Sequence, residues 1–134
     1  MATLAYLWDV TAWWKRRQSK LQEREEMECG LRVISGTQPG LTGRWRHGVA
    51  RVQAGNLEFL PRLGGSRIPR PGQQWLRVDV IEASRAHERV AGGREQWSVN
   101  PTARIVRVRT ATAELEWAVT PEQRDWALSR VMGP

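Results

Sequence analysis

The segment "ARIVRVRTATAELEWAV", residues 103–119, changes side-chain character every second residue on both sides of a short polar break. Val106 and Val108 alternate with Arg107 and Arg109, and Leu115 and Trp117 alternate with Glu114 and Glu116. A helix would scatter these residues around its surface. Only extended backbone puts one set on a core and the other in water. A loop centred on Ala111-Thr112 pairs Val108 with Leu115 and Val106 with Trp117, and it sets Arg109 against Glu114 and Arg107 against Glu116. The chain is therefore one that folds as hairpins, and two of its arginines have acids opposite them.

The same period runs through the preceding sequence. Met27, Cys29, Leu31 and Val33 alternate with Glu28, Gly30, Arg32 and Ile34 before the turn residues "SGTQPG". "GRWRHGVARVQAGNLEFLPR" reads as two strands about Gly55-Asn56, with Val52 facing Phe59 and Ala54 facing Leu57. Gly48, Ala50 and Val52 then share one face, and Trp45, His47, Val49 and Arg51 share the other, with Arg44 and Arg46 left outward. Gly48 and Ala50 are small where another element comes close. "WLRVDVIEA" turns Leu76, Val78 and Val80 inward and Trp75, Arg77, Asp79 and Ile81 outward. Between these strands, "GGSRIPRPGQQ" is a loop carrying Arg67 and Arg70. "SRAHERVAGGRE" reads as a polar connection, "QWSV" as a short strand and Asn100-Pro101 as a turn.

Thr120 as N-cap, Pro121 at the first helical position and Gln123 two residues on start a closing helix, whose buried stripe reads as Trp126, Ala127, Val131 and Met132. These elements predict a mainly β fold. About seven short strands form a small barrel or split sandwich of the pleckstrin-homology-like kind, closed by the C-terminal helix.

An N-terminal helix precedes that domain in this reading. "MATLAYLWDVTAWW" is apolar apart from Asp9, but fourteen helical residues span about 21 Å, short of the roughly 30 Å hydrocarbon core of a bilayer. Trp8, Trp13 and Trp14 suit the headgroup level, and Lys15, Arg16 and Arg17 follow as a cytoplasmic basic flank. The segment reads as a truncated anchor or an interfacial helix, with a helix packed on its own domain or a second copy as the alternative. Residues 1–26 are thus an apolar helix and polar stalk, and residues 27–134 are the β domain.

With a net charge of +7, the chain is basic, and its basic residues are nearly all arginine. Residues 29–113 hold fourteen Arg against five acids. Arg44, Arg46, Arg67, Arg70 and Arg77 have no evident cross-strand acid, so they are the candidate face for anionic lipid or an acidic protein partner. Single-stranded nucleic acid is the alternative ligand, with Trp45, Trp75 or Trp97 as stacking platforms. Cys29 is the sole cysteine and the histidines are two, His47 and His87, so neither a disulfide nor a zinc-type ligand cluster is expected. No nucleophile, base and acid set stands out, no phosphate-binding glycine loop occurs, and no cofactor or small-molecule substrate is implied.

The blocks "MECGLRV", "GRWRHGVARVQAGNLEFLPR" and "RIVRVRTATAELEWAVTPEQ" resemble those of an actinobacterial membrane-protein family known as DUF family 2550, a domain of unknown function. The likeness covers most of residues 27–132 and is most specific at "WRHGVAR", Trp45 to Arg51. It implies a single membrane helix followed by a small domain on the cytoplasmic face of the cell membrane, and it implies no enzyme. The departure lies in the anchor, where the family's full spanning helix is here fourteen residues interrupted by an Asp.

Overall fold

The computed structural model describes residues 26–62, 74–92 and 102–133. The expected N-terminal helix, the strand at residues 96–99 and the Asn100-Pro101 turn lie outside the described residues. Seven antiparallel strands are present among them: β1 (Glu26–Gly36), β2 (Arg46–Gln53), β3 (Asn56–Pro61), β4 (Leu76–Asp79), β5 (Glu82–Val90), β6 (Arg104–Arg109) and β7 (Ala113–Val119). A C-terminal helix, α1 (Pro121–Met132), follows. The strand order is β4-β3-β2-β1-β7-β6-β5, a single sheet curled into a half-barrel. Two meanders, β1 to β4 and β5 to β7, are joined where the first strand pairs with the last.

The concave side holds the main core. Met27 and Leu31 from β1, Ala50 and Val52 from β2, Leu57 and Phe59 from β3, Val106 and Val108 from β6, and Leu115 and Trp117 from β7 are all buried there. Each comes from the apolar phase of an alternating strand, so the period-two pattern alone selects the core. Antiparallel pairing sorts the connections by end. Residues 37–45, the β3–β4 connection and residues 110–112 leave the sheet at one end, the rim. The β2–β3 turn and α1 belong to the opposite end.

The last hairpin has the predicted register, with Val106 opposite Trp117, Val108 opposite Leu115 and Arg109 opposite Glu114. Neither Ala111 nor Thr112 favours a tight turn, and Thr110 supplies what they lack. Its Oγ1 accepts from the backbone N–H of Thr112 at 3.2 Å and of Ala113 at 3.0 Å, closing the turn with a side chain.

The β2–β3 turn differs from expectation by one residue. Its loop is Ala54-Gly55, and Val52 lies opposite Leu57 and Ala50 opposite Phe59. Gly55 takes the second loop position with φ +82°, where a side chain would be strained. Moving the loop by one residue changes the pairing by two, so Gly48, Ala50 and Val52 keep their shared face.

A larger correction concerns residues 82–90. These are strand β5, whereas the sequence reads them largely as a polar connection, and the strand predicted over residues 75–83 ends at Asp79. β5 is an edge strand with a register break between Ser84 and Arg89, and its residues are half-buried or exposed on both faces. It has no apolar phase to read, and its bulge and charges are what keep an edge from pairing with other chains.

α1 closes the base. Gln123, Ala127 and Val131 face the core, the N–H of Gly55 donates to the Val131 carbonyl at 2.7 Å, and Arg130 Nε donates to the Val52 carbonyl at 3.3 Å. Arg124 with Glu88 at 3.2 Å and Arg85 with Asp125 at 3.0 Å clasp the helix to β5. Met132 departs from the predicted stripe. It is 49% exposed, and its Sδ accepts the Ala83 N–H at 3.2 Å.

Gly48 sits at a tight approach within the sheet. A Cβ there would fall on the Leu60 carbonyl oxygen and come within 3.0 Å of the Phe59 ring. Backbone cannot yield as a flexible side chain does, so Gly48→Val should destabilise the domain by about 3 kcal/mol through overpacking. A thermal melt should show the midpoint lowered by about 10 °C, and an unchanged midpoint would contradict the close approach.

Candidate anion-binding rim

The convex face of the sheet carries the polar phase of the strands, and its arginines are largely committed to acids. Glu116 is the centre of this network. It stands opposite Arg32 on β1 and Arg107 on β6. Its carboxylate, only 8% accessible, is held by Arg32 Nε at 2.8 Å and by a two-pronged contact from Arg89, Nε to Oε2 and NH2 to Oε1, both at 3.0 Å. Burial pushes the Glu116 pKa up, but the hydrogen bonds and charges of Arg89 and Arg32 outweigh it and hold the carboxyl below its ordinary value.

The expected pairing of Arg107 with Glu116 and of Arg109 with Glu114 is therefore replaced. Arg107 reaches Glu114 diagonally at 3.6 Å, and Arg109 reaches across to Glu82 on β5 at 2.9 Å. The register is as predicted, but β5 brings Arg89 and Glu82 to the same surface and redistributes the partners. Further along the convex face, Arg51 donates to Glu26 at 3.1 Å, and Arg62 lies 3.5 Å from Glu28.

Two of the candidate tryptophans are covered. The Arg32 guanidinium lies 4.9 Å from the Trp45 ring centroid, and Arg51 lies 4.0 Å from that of Trp75. Trp45 also packs on a second small cluster, Ala91, Ala103, Ile105 and Ala118, on the convex side. Trp97 lies outside the described residues.

The candidate arginines divide sharply. Arg77 is exposed but bonded to Asp79 Oδ1 at 2.9 Å, and Glu58 stands opposite it on β3. That cross-strand acid comes from the β3–β4 register, which the long connection between the two strands leaves unspecified in the sequence. Arg67 and Arg70 lie outside the described residues, as do Trp8, Trp13, Trp14, Lys15, Arg16 and Arg17. Arg46 opens β2 opposite Leu31, in the same phase as Gly48 and Ala50. It therefore belongs to the mouth of the half-barrel rather than to the outward face expected of it. Arg44 precedes it in the rim connection, exposed, in a turn where its backbone N–H donates to Thr42 Oγ1 at 3.2 Å. Neither side chain forms an ion pair within the described residues, whereas nine other described arginines do.

The rim around them is ordered by backbone contacts. Thr37 N–H donates to the Thr112 carbonyl at 3.1 Å, Thr112 Oγ1 donates back to the Thr37 carbonyl at 2.6 Å, and Leu41 is buried in the core from above.

Residues 3–128 match the model of a family described as a protein of unknown function, DUF2550. The chain belongs to the DUF2550 family. Neither the curated proteins nor the solved structures give a match.

In this DUF2550 chain the described residues contain no group of three or more His, Cys, Asp or Glu able to hold a metal, and no helix among them is long and apolar enough to cross a membrane. Cys29 is buried on β1, where burial, with the Glu28 charge adding and Trp117 opposing, pushes its thiol up to about 12. At neutral pH it is a small apolar side chain. Sequence reading identified Glu116 only as a partner for Arg107. Its role as a hub depends on Arg89, and Arg89 lies on the strand whose charges conceal its period.

Two outcomes follow. In the folded protein at pH 8, Cys29 should resist a thiol reagent such as Ellman's and react at the rate of unfolding; fast labelling of the native state would contradict its burial. Glu116→Gln should cost about 2 kcal/mol by leaving two guanidinium groups short of their acceptor. Because the folded carboxyl titrates lower than the unfolded one, its stabilisation is present above about pH 4.3 and is lost as pH falls further. The wild-type stability should drop along that acid limb, and denaturant titrations should find the drop shallower in Glu116→Gln.

Proposed function

We propose that this chain is a non-enzymatic binding module with pleckstrin-homology-like architecture that sits at the cytoplasmic face of the cell membrane and presents its rim to anionic lipid. The observation that carries the reading is the contrast between Arg44 and Arg46, which are uncommitted, and the ion-paired arginines of the convex face. In a sheet where acids are matched so widely to arginines, two adjacent rim arginines without acids have their charge available for an external anion. Residues 1–17, with their tryptophans and basic flank, supply a second membrane contact of the kind the family resemblance implies. Two weak signals acting together hold a protein on a membrane where either alone does not.

Covered ring faces favour lipid over single-stranded nucleic acid. Stacking needs an open aromatic face, and Arg32 and Arg51 already occupy those of Trp45 and Trp75. An acidic protein segment would use the same arginines and is the remaining form of the reading.

The test uses the full chain with vesicles of phosphatidylcholine, alone or mixed with phosphatidylserine. Binding to the mixed vesicles should be stronger and salt-sensitive. Arg44→Gln with Arg46→Gln should weaken it by about 30-fold, from about 1 kcal/mol per arginine. Equal binding by wild type and the double variant would contradict the rim as the lipid contact. Preference for a single-stranded oligonucleotide over either vesicle would replace lipid with nucleic acid.

A further inference from the structure

Trp45 stands between the two uncommitted arginines, and its placement is unusual for a residue in a connection. The ring lies on the convex side against Ala118, Ile105, Ala103 and Ala91. Over it sits the Arg32 guanidinium, 4.9 Å from the ring centroid, and the same guanidinium is fixed from behind by Glu116 through Nε at 2.8 Å. Glu116 in turn is held from its other side by Arg89. A carboxylate on β7, an arginine on β1 and an indole at the entry to β2 thus form one stack across the seam between the two meanders.

In extended backbone, neighbouring side chains project to opposite faces. Fixing Trp45 on the convex side therefore fixes Arg46 on the mouth side, where its place opposite Leu31 puts it. The Thr42 Oγ1 turn sets Arg44 on the other flank. A charge whose backbone is already held in place spares the cost of ordering that segment on binding.

We propose that Glu116 and Arg32 are positioning residues for the rim, acting through Trp45 to hold Arg44 and Arg46 at the mouth of the half-barrel, where they meet the anion. This rests on the reading of the rim as an anion-binding surface. It adds that the affinity of the rim is set from the convex face by groups that do not touch the ligand.

Arg32→Lys tests this without removing charge. Lysine still neutralises Glu116 but lacks the planar group that stacks on an indole and the fork that grips a carboxylate. Arg89→Lys is the matched control, because it loosens the same carboxylate from the side away from Trp45. The full-length proteins are titrated with phosphatidylcholine vesicles containing phosphatidylserine, and each is melted to verify its fold. Arg32→Lys should weaken binding by about fivefold with its melting midpoint within a few degrees of wild type, and Arg89→Lys should stay within about twofold. A conservative Glu116→Asp variant serves if Arg32→Lys does not fold, with the same fivefold loss expected.

Wild-type binding by Arg32→Lys, or equal losses in Arg32→Lys and Arg89→Lys, would overturn the positioning role while Arg44→Gln with Arg46→Gln still lost binding. If that double variant binds as wild type does, the rim reading falls and the positioning role falls with it.

Discussion

The pairing of β1 with β7 is the contact on which the rest of the structure depends. Each meander is a set of local hairpins, but a meander of three or four strands exposes an apolar face and two edges. Joining the strand that begins the domain to the strand that ends it merges two such faces into one concave core, and Leu31 beside Trp117 and Val33 beside Leu115 form its centre. The pairing spans most of the domain's sequence, so it carries the largest loop-closure cost in the fold. Two features oppose that cost. Trp117 and Leu115 are fully buried on the concave side, and Glu116 binds Arg32 on the convex side of the same seam.

That seam also governs how the charge of the molecule is read. A net charge of +7 suggests a chain covered in free arginine. The convex face is instead a lattice of alternating Arg and Glu in which most guanidinium groups have an acid within reach. Exposed pairs of this kind add little stability one by one, but they remove charge from the pool available to a ligand. Among the described arginines outside these pairs, Arg44 and Arg46 stand at the rim, where they follow a connection with no acid of its own, and Arg104 opens β6 at the other end of the sheet. Position within the sheet, more than the number of basic residues, separates structural charge from charge that binds.

Much of the fold was legible because every strand but β5 keeps an apolar phase. The last hairpin could be registered to the residue, and Gly48 could be picked out as a site of close approach. Legibility failed where the environment is the same on both faces. β5 is an edge, bulged and charged, so its residues carry no period, and the partners it supplies to Glu116 and Arg109 were hidden with it. The β2–β3 turn failed for a narrower reason. Gly-Asn and Ala-Gly are both workable loop pairs, and the sequence does not say which side of Gly55 the turn lies on. Of the candidate site, Arg44 and Arg46 are visible in the sequence as arginines lacking an acid, but the acid facing Arg77 emerges only with the β3–β4 register, and Arg46 takes the concave phase it shares with Gly48.

The contrast between committed and uncommitted arginines is most directly tested by hydrogen exchange at the arginine Nε–H groups of the full chain, followed by NMR at moderately acidic pH. The account predicts slow exchange for Arg32 and Arg89, whose Nε protons point at Glu116, and exchange close to the solvent rate for Arg44 and Arg46. Protection of Arg44 or Arg46 comparable to that of Arg32 would mean that the rim charge is already bound within the protein, and the account of an anion-binding rim would be wrong.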